Sequence, residues 1–326
     1  MMGQIPNETV CDGYVTIVLP CFNERATITD VVEQTLESLE GTGYDGHIVI
    51  VDDDSPDGTG RFAQSYFDDD DRVEVMIRLN EHGLSSAILD GLFCSVGRYA
   101  IVMDADGQHP PERIPEIVSS LEDSDIVVGS RHIDGGSIEG WPIRRRVISS
   151  VATTIASLSI PSARRLQDPM SGFFGIDRTT VDVEVLQQCD PHGYKLLLEL
   201  LSHAEQLGDI NVDEIPITFR ERQGGESKMT VDEAVRFVEH CTGLGLVERG
   251  VAKHVYPPLL IRSVEFGAVT GVGLIMLYLG LWIGNVDGAL GASLIAAAGG
   301  LVTLAALRYQ RTRKTWNETD ESYVKS

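Results

Sequence analysis

Two carboxylates spaced one residue apart are the part of the sequence best suited to chemistry. Asp104 is the last residue of the apolar run YAIVMD, and Asp106 follows two residues later, so we expect both at the end of a buried strand. Carboxylates held this close repel each other unless a cation offsets their charge. With the amide oxygen of Gln108, they offer the hard ligands that Mg²⁺ or Mn²⁺ takes alongside substrate phosphates. An Asp-x-Asp pair also arises by chance in acidic chains, and its place after a strand gives this one weight.

Two more polar segments follow apolar runs. PCFNE (20–24) comes after VTIVL, and DDDSPDGT (52–59) comes after HIVIV. Ligands in open α/β sheets bind beyond the carboxyl ends of the strands, so these segments are expected to share one site with Asp104 and Asp106. An ordinary Asp-rich turn is the alternative for the second segment.

The elements that must position these residues alternate between strand and helix. Short Val- and Ile-rich strands are predicted at 15–19, 47–51, 73–79, 99–104 and 125–130, with helical patterns at 25–39 and 84–96 between them. Continuous apolar strands joined by helices indicate an α/β fold with a mostly parallel sheet, covered on both faces.

Two long apolar stretches lie near the other end of the chain. Residues 263–284 and 289–307 each approach the roughly 20 residues that cross a bilayer as a helix, and a turn at 285–288 separates them. Basic residues flank the pair and are missing from the turn, which predicts a transmembrane hairpin with both ends and the N-terminal domain in the cytoplasm. A buried helical pair of a soluble core is the alternative.

The predicted organisation therefore has four parts. A cytosolic domain occupies 1–229, amphipathic interface or linker helices 230–262, two transmembrane helices 263–307, and a polar cytosolic tail 308–326.

Composition narrows the functional classes. The 49 acidic and 26 basic residues give a formal net charge of −23, which disfavours nucleic acid as a partner and is typical of a protein that works in concentrated salt. Five scattered cysteines without a Cys-x-x-Cys pair favour reduced thiols in a reducing compartment.

A basic cluster precedes a weakly apolar segment. Arg144, Arg145 and Arg146 stand before 147–160, and two more arginines follow it. This pattern suits a helix at the membrane interface with its cations near lipid phosphates, so the three arginines are candidate ligands of an acceptor phosphate. A core helix with a solvated basic end is an equal alternative.

Five motifs in order carry a family resemblance: PCFNE, VDDDSPDGT, DADGQHPPE, GSRH and RERQGGESK. Over about Val15–Met229 the chain resembles family-2 glycosyltransferases of the GT-A fold. It is most similar to dolichol-phosphate mannose synthases and their polyprenyl-phosphate hexosyl relatives. Phe22 stands where Tyr is common, and no Lys or Arg precedes the glycine turn at Gly83.

The resemblance implies roles for individual residues. Asp104, Asp106 and Arg131 are the implied catalytic residues, and Asp106 with Gln108 holds the divalent ion, Mg²⁺ or Mn²⁺. Binding of the nucleotide-sugar donor is assigned to Pro20, Phe22, Glu24, Val51, Asp53, Asp104, Ala105, Asp106, Arg131, Arg222 and Lys228.

The implied reaction transfers a hexose from a nucleoside diphosphate sugar to dolichyl or polyprenyl phosphate, with inversion, and feeds protein or lipid glycosylation. GDP-mannose is the preferred donor, and a UDP-hexose such as UDP-glucose is its rival. A UDP-sugar enzyme with another acceptor and a non-enzymatic, membrane-anchored metal-binding module are the alternatives. A processive polysaccharide synthase is disfavoured because the chain lacks a QxxRW motif.

Overall fold

The structure, a computed structural model, describes residues 11–79, 83–191, 193–220 and 231–250. The side chains of six residues in these ranges are not described: Asp12, Arg144, Val231, Asp232, Glu233 and Val235. Two compact units divide the chain, Met1–Leu244 and Gly245–Ser326, and only 245–250 of the second are described.

Seven strands form one sheet in the first unit. They are β1 (Cys11–Cys21), β2 (Asp45–Asp52), β3 (Val73–Ile77), β4 (Gly97–Val102), β5 (Ile126–Ser130), β7 (Phe174–Asp177) and β8 (Val212–Pro216). Their order is β3-β2-β1-β4-β7-β5-β8. All neighbours run parallel except β7, which is antiparallel to both β4 and β5.

Helices cover both faces of this sheet, and short elements complete the described fold. The helices are α1 (Ile28–Leu39), α2 (Thr59–Tyr66), α3 (Leu84–Phe93), α4 (Ile114–Ser120), α5 (Ile143–Ser159), α6 (Val183–Gln188), α7 (Leu196–Leu207) and α8 (Val231–Glu248). Two 3₁₀ turns lie at Pro111–Arg113 and Ser162–Arg165, and β6 (Ser137–Ile138) pairs in parallel with β9 (Thr218–Phe219).

The inner strands β1, β2, β4 and β5 are mostly apolar because both faces of the sheet are buried there, whereas β3 and β8 at its two edges include acidic residues. In β1, Ile17 and Leu19 join a core cluster with α1, α2 and α4. Val18, between them, joins a second cluster with α3, α6 and α7 on the other face. Complete burial of one such side chain contributes about 1.5–3 kcal/mol, so packing on both faces fixes the register of the strands.

The predicted α/β fold with a mostly parallel sheet is confirmed. All five predicted strands exist, with ends displaced by a few residues. The two predicted helices correspond to α1, which begins three residues later than predicted, at Ile28, and to α3, which ends three residues earlier, at Phe93. Two strands of the sheet, the antiparallel β7 and the edge strand β8, were not predicted. β7 lies between β4 and β5.

A third apolar cluster joins α5 to α8. Ala152 and Ala156 of α5 pack with Phe237, Cys241 and Leu244 of α8. This packing places α5 beside the carboxyl-end edge of the sheet, where the site described below lies.

The predicted transmembrane hairpin at 263–307 and the tail at 308–326 lie outside the described residues, as does most of the predicted linker. Among residues 11–79, 83–191, 193–220 and 231–250, no helix is both long enough and apolar enough to cross a bilayer.

Candidate active site

A cleft of about 1020 Å³ opens at the carboxyl ends of β1, β2, β4 and β5. It brings together most of the residues singled out in the sequence: Pro20, Phe22, Glu24, Asp53, Asp104, Ala105, Asp106, Gln108, Arg131 and Arg145. Parallel strands end at the same edge of a sheet, which is why motifs 30 to 50 residues apart meet here.

Some predicted residues are not part of this lining. The side chain of Val51 is fully buried in the core against α3, so only its main chain is available to a ligand. Arg146 is exposed and its Nη2 donates to the carbonyl oxygen of Ile138, 3.0 Å away. Arg222, Lys228 and the side chain of Arg144 lie outside the described part of the chain.

Tight turns at two strand ends shape the floor of the cleft. Asn23 and Asp54 both adopt positive φ, at 61° and 46°. Non-glycine residues in this region are uncommon and cluster at functional sites. The Asn23 main-chain N–H donates to Ser55 Oγ at 3.0 Å, so the loop after β1 is tied to the loop after β2.

Asp106 and Gln108 have the chemistry that a divalent cation needs. Asp106 Oδ1 accepts a hydrogen bond from the main chain of Gln108 at 3.0 Å. The amide nitrogen of Gln108 donates to the carbonyl oxygen of Arg220 at 2.8 Å, which turns its amide oxygen into the available ligand atom. Among the described residues no cluster of three His, Cys, Asp or Glu side chains is arranged to bind a metal. One carboxylate and one amide suit Mg²⁺ or Mn²⁺ only if water and substrate phosphates supply the other ligands.

A buried histidine holds the first carboxylate. His109 Nε2 lies 3.2 Å from Asp104 Oδ2, and the ring packs edge-on to Phe219 at 5.0 Å and tilted to Phe173 at 5.3 Å. An ionised carboxylate only accepts hydrogen bonds, so Nε2 carries the proton. This partner was not predicted, although His109 stands inside the DADGQHPPE motif.

Asp53 has a buried cation as its partner. Arg78, 5% exposed, donates from Nε to Asp53 Oδ1 at 2.8 Å, and its Nη2 also contacts that oxygen. The Gly83 main-chain N–H donates to Asp53 Oδ2 at 2.8 Å. Gly83 has φ 141°, a conformation that favours glycine. Arg78 therefore supplies the positive charge that the residue before the glycine turn lacks.

Arg131 forms a buried ion pair. Its Nε and Nη2 both donate to the Asp168 carboxylate at 2.7 Å, and the two side chains are 8% and 0% exposed. Burial tends to raise the pKa of Asp168, but the hydrogen bonds and charge of Arg131 outweigh it and the pKa is lowered. The guanidinium also lies 5.6 Å from the Trp141 ring centre and 5.4 Å from that of Phe219. Asp168 was not predicted.

α5 contributes a cation to the cleft wall and carries an exposed apolar stripe that is not part of the cleft lining. Arg145 lies 3.9 Å above the Trp141 ring. Four apolar side chains on one side of this helix are each at least 53% exposed: Ile143, Val147, Val151 and Leu158. This face of α5 is therefore exposed, while Ala152 and Ala156 on its other face pack into the core.

Comparison with known proteins decides the family. Residues 16–181 match Glycosyl transferase family 2. The chain belongs to this family. It is 37% identical over 227 residues to the dolichol-phosphate mannosyltransferase of Pyrococcus furiosus, covering 69% of this chain and 62% of that protein. It is 33% identical over 245 residues to the dolichol-phosphate mannosyltransferase of Saccharomyces cerevisiae, covering 72% of this chain and 88% of that protein.

Solved structures share the fold of this glycosyltransferase. Glucosyl-3-phosphoglycerate synthase of Mycobacterium tuberculosis, with Mn²⁺, UDP-glucose and phosphoglyceric acid, superposes with a TM-score of 0.52 at 20% identity. That match covers 74% of this chain and 81% of the other. The same enzyme with Mg²⁺ and UDP gives a TM-score of 0.53 at 20% identity, over 74% and 81% of the two chains. The α/β fold is of the GT-A type.

Proposed function

We propose that this glycosyltransferase moves a hexose from a nucleoside diphosphate sugar onto a polyprenyl phosphate. The observation that carries the proposal is the cleft. The residues that could bind a metal, Asp106 and Gln108, follow β4. Arg145 of α5 and the Trp141 ring line the same cleft, so a diphosphate donor and an anionic acceptor can meet there. The two mannosyltransferases above act, by their names, on dolichol phosphate, which supports this acceptor class.

Asp106 and Gln108 are the residues that would hold a divalent cation, Mg²⁺ or Mn²⁺. Such a cation, when bound, offsets the negative charge that develops on the departing nucleoside diphosphate. The M. tuberculosis synthase binds Mn²⁺ or Mg²⁺ together with UDP, which supports the proposal.

The donor is assigned to the side of the cleft formed by β1 and β2. Phe22 is 54% exposed at its mouth, so its ring is free to stack on a base. Glu24 and Asp53 line the same side. GDP-mannose is the preferred donor because both mannosyltransferase relatives are named for that sugar. UDP-glucose is the rival, because the structural neighbour binds it.

The chemistry requires alignment more than proton transfer. A polyprenyl phosphate is largely anionic at neutral pH, so one of its oxygens attacks the anomeric carbon without a general base. The bond from that carbon to the diphosphate oxygen breaks with its electron pair leaving on the nucleoside diphosphate. One displacement inverts the anomeric configuration.

Delivery to a lipid acceptor is proposed to involve two parts of the chain. The exposed apolar stripe of α5 suits the surface of a membrane. The stretches 263–284 and 289–307 are proposed as a two-span anchor that keeps the catalytic domain in the cytoplasm.

A comparison of donors tests the function. Membranes containing the full chain are incubated with polyprenyl phosphate, Mg²⁺ and either labelled GDP-mannose or labelled UDP-glucose, and label in the lipid fraction is counted. We expect lipid-linked mannose, and no product after chelation with EDTA. Transfer from UDP-glucose alone would reverse the donor assignment, and a retained anomeric configuration would exclude the single displacement.

A further inference from the structure

Lys195 is a cleft residue that none of the motifs contains. It stands directly before α7, is partly buried, and lines the cleft with its neighbour Tyr194. Tyr194 packs on Phe237 of α8 at 5.2 Å, which fixes this wall of the cleft.

Among the described residues, the positive charge of Lys195 differs from that of Arg131 in having no carboxylate partner within 4.0 Å. Arg131 donates hydrogen bonds from Nε and Nη2 to the two carboxylate oxygens of Asp168. No ion pair within 4.0 Å joins Lys195 to a carboxylate in the described part of the chain. A partly buried charge without a partner is unfavourable, so this arrangement is suited to an anionic ligand.

The electrostatic surroundings agree with this. Burial lowers the pKa of Lys195, Arg131 lowers it further, and the charges of Asp104 and Asp168 oppose the change without reversing it. A bound phosphate would stabilise the ammonium and offset the burial.

The position of Lys195 favours one of the two possible phosphate sources. The proposed donor ligands follow β1, β2 and β4, whereas Lys195 belongs to the wall built from α5, α7 and α8. Arg145 and Ser149 of α5 line the cleft on that wall.

We infer that Lys195, which lines the same wall of the cleft as Arg145, binds the phosphate group of the acceptor. The inference rests on the proposed function. A phosphate monoester carries about −1.5 to −2 charges at neutral pH. Lys195 supplies positive charge toward such a group, and Arg131 adds little because Asp168 already neutralises it.

The test compares Lys195→Met with Lys195→Arg in the full chain, using farnesyl monophosphate as a short acceptor. We expect Lys195→Met to raise the acceptor KM by about 10- to 100-fold, as for a lost hydrogen bond to a charged group. The Kd for GDP or UDP should change by less than about twofold. Lys195→Arg should recover most of the acceptor affinity.

Arg72→Met is the matched control. It removes one positive charge from an exposed ion pair with Asp70, just before β3 and at the opposite end of the strands from the cleft. The acceptor KM and the Kd for GDP or UDP should both stay at the wild-type level.

Three results would overturn the inference: an unchanged acceptor KM in Lys195→Met, an equal loss of nucleotide affinity, or an equal defect in Lys195→Arg. Calorimetric binding of farnesyl monophosphate separates this inference from the function itself. Wild-type binding without turnover would reject the function, and the loss of binding in Lys195→Met would still support the assignment. Wild-type turnover with unchanged binding in the variant would reject only the assignment.

Discussion

Each carboxylate on the cleft floor has a neighbour that limits its movement. Asp104 has His109, Asp106 has the main chain of Gln108, and Asp53 has Arg78. A donor fixed by buried packing holds an acid in one orientation before the substrate arrives, which lowers the cost of alignment.

His109 provides a direct test of this arrangement. His109→Leu removes the donor to Asp104, and we expect kcat to fall by about 10-fold or more, since a hydrogen bond to a charged group is worth about 1.5–3 kcal/mol. His109→Gln places an amide N–H where Nε2 lies and should restore most of kcat. Equal losses of kcat in the two variants, each assayed at the same interval below its own melting temperature, would show that the ring is needed only for packing.

Asp168 tests the buried ion pair. Asp168→Asn leaves the guanidinium of Arg131 buried and uncompensated, and we expect the free energy of unfolding to fall by about 3–5 kcal/mol. Urea denaturation measures the loss. Asp70→Asn, which breaks an exposed pair with Arg72, is the control and should cost less than about 1 kcal/mol. A similar loss in both would contradict a buried, stabilising pair.

The contrast between predicted and missed residues has a physical cause. Asp104, Asp106 and Gln108 lie within six residues of the end of β4, so a local sequence pattern is enough to predict them. Asp168 lies 37 residues from Arg131, and Arg78 lies 25 from Asp53. Lys195 follows no motif. The folded topology brings such partners together, and no repeating pattern in the sequence indicates which residues pair.

At the level of elements, the sheet explains the position of the cleft. β1, β2 and β4 run parallel and present their polar ends at one edge, and the continuous apolar runs in these strands made this predictable. The antiparallel β7 has only four residues, FGID, and no alternating pattern that distinguishes its direction. Its place between β4 and β5 depends on long-range pairing.

The contact between α7 and α8 predicts a pH effect on stability. His240 Nδ1 lies 3.4 Å from Glu199 Oε1, and Asp190 and His203 also face this group. Burial lowers the pKa of His240, against the opposing effects of Glu199 and Asp190. Folding therefore disfavours the protonated form, so this stability is present above about pH 6.5 and is lost as the pH falls through the lowered folded pKa.

We expect the melting temperature to fall between about pH 7.5 and pH 5.5, and to fall less in His240→Asn. Burial also lowers the pKa of His47 on β2, so part of the dependence remains in the variant. An unchanged slope in His240→Asn, measured by calorimetry across this range, would remove His240 as its source.

At the level of the whole molecule, the net charge of −23 opposes compaction at low salt. The Debye length shortens from about 10 Å at 0.1 M to about 3 Å at 1 M, which weakens this repulsion. We expect the melting temperature to rise by about 5 °C or more between 0.1 M and 2 M KCl, a gain of about 2 kcal/mol. A variant in which the exposed Asp68, Asp69 and Asp71 become Asn should show a weaker rise. Full stability at 0.1 M would count against adaptation to concentrated salt.

The central claim is that this cleft transfers a hexose to a lipid phosphate. The most direct measurement is the rate at which label from GDP-mannose appears in polyprenyl phosphate with Mg²⁺, for the wild type, Asp106→Asn, and the exposed control Asp69→Asn. We expect product with the wild type and the control, and a rate at least about 100-fold lower in Asp106→Asn, the size of effect seen when one stabilising group is lost. Undiminished transfer by Asp106→Asn, or no lipid-linked hexose from the wild type with either GDP-mannose or UDP-glucose, would contradict the central claim.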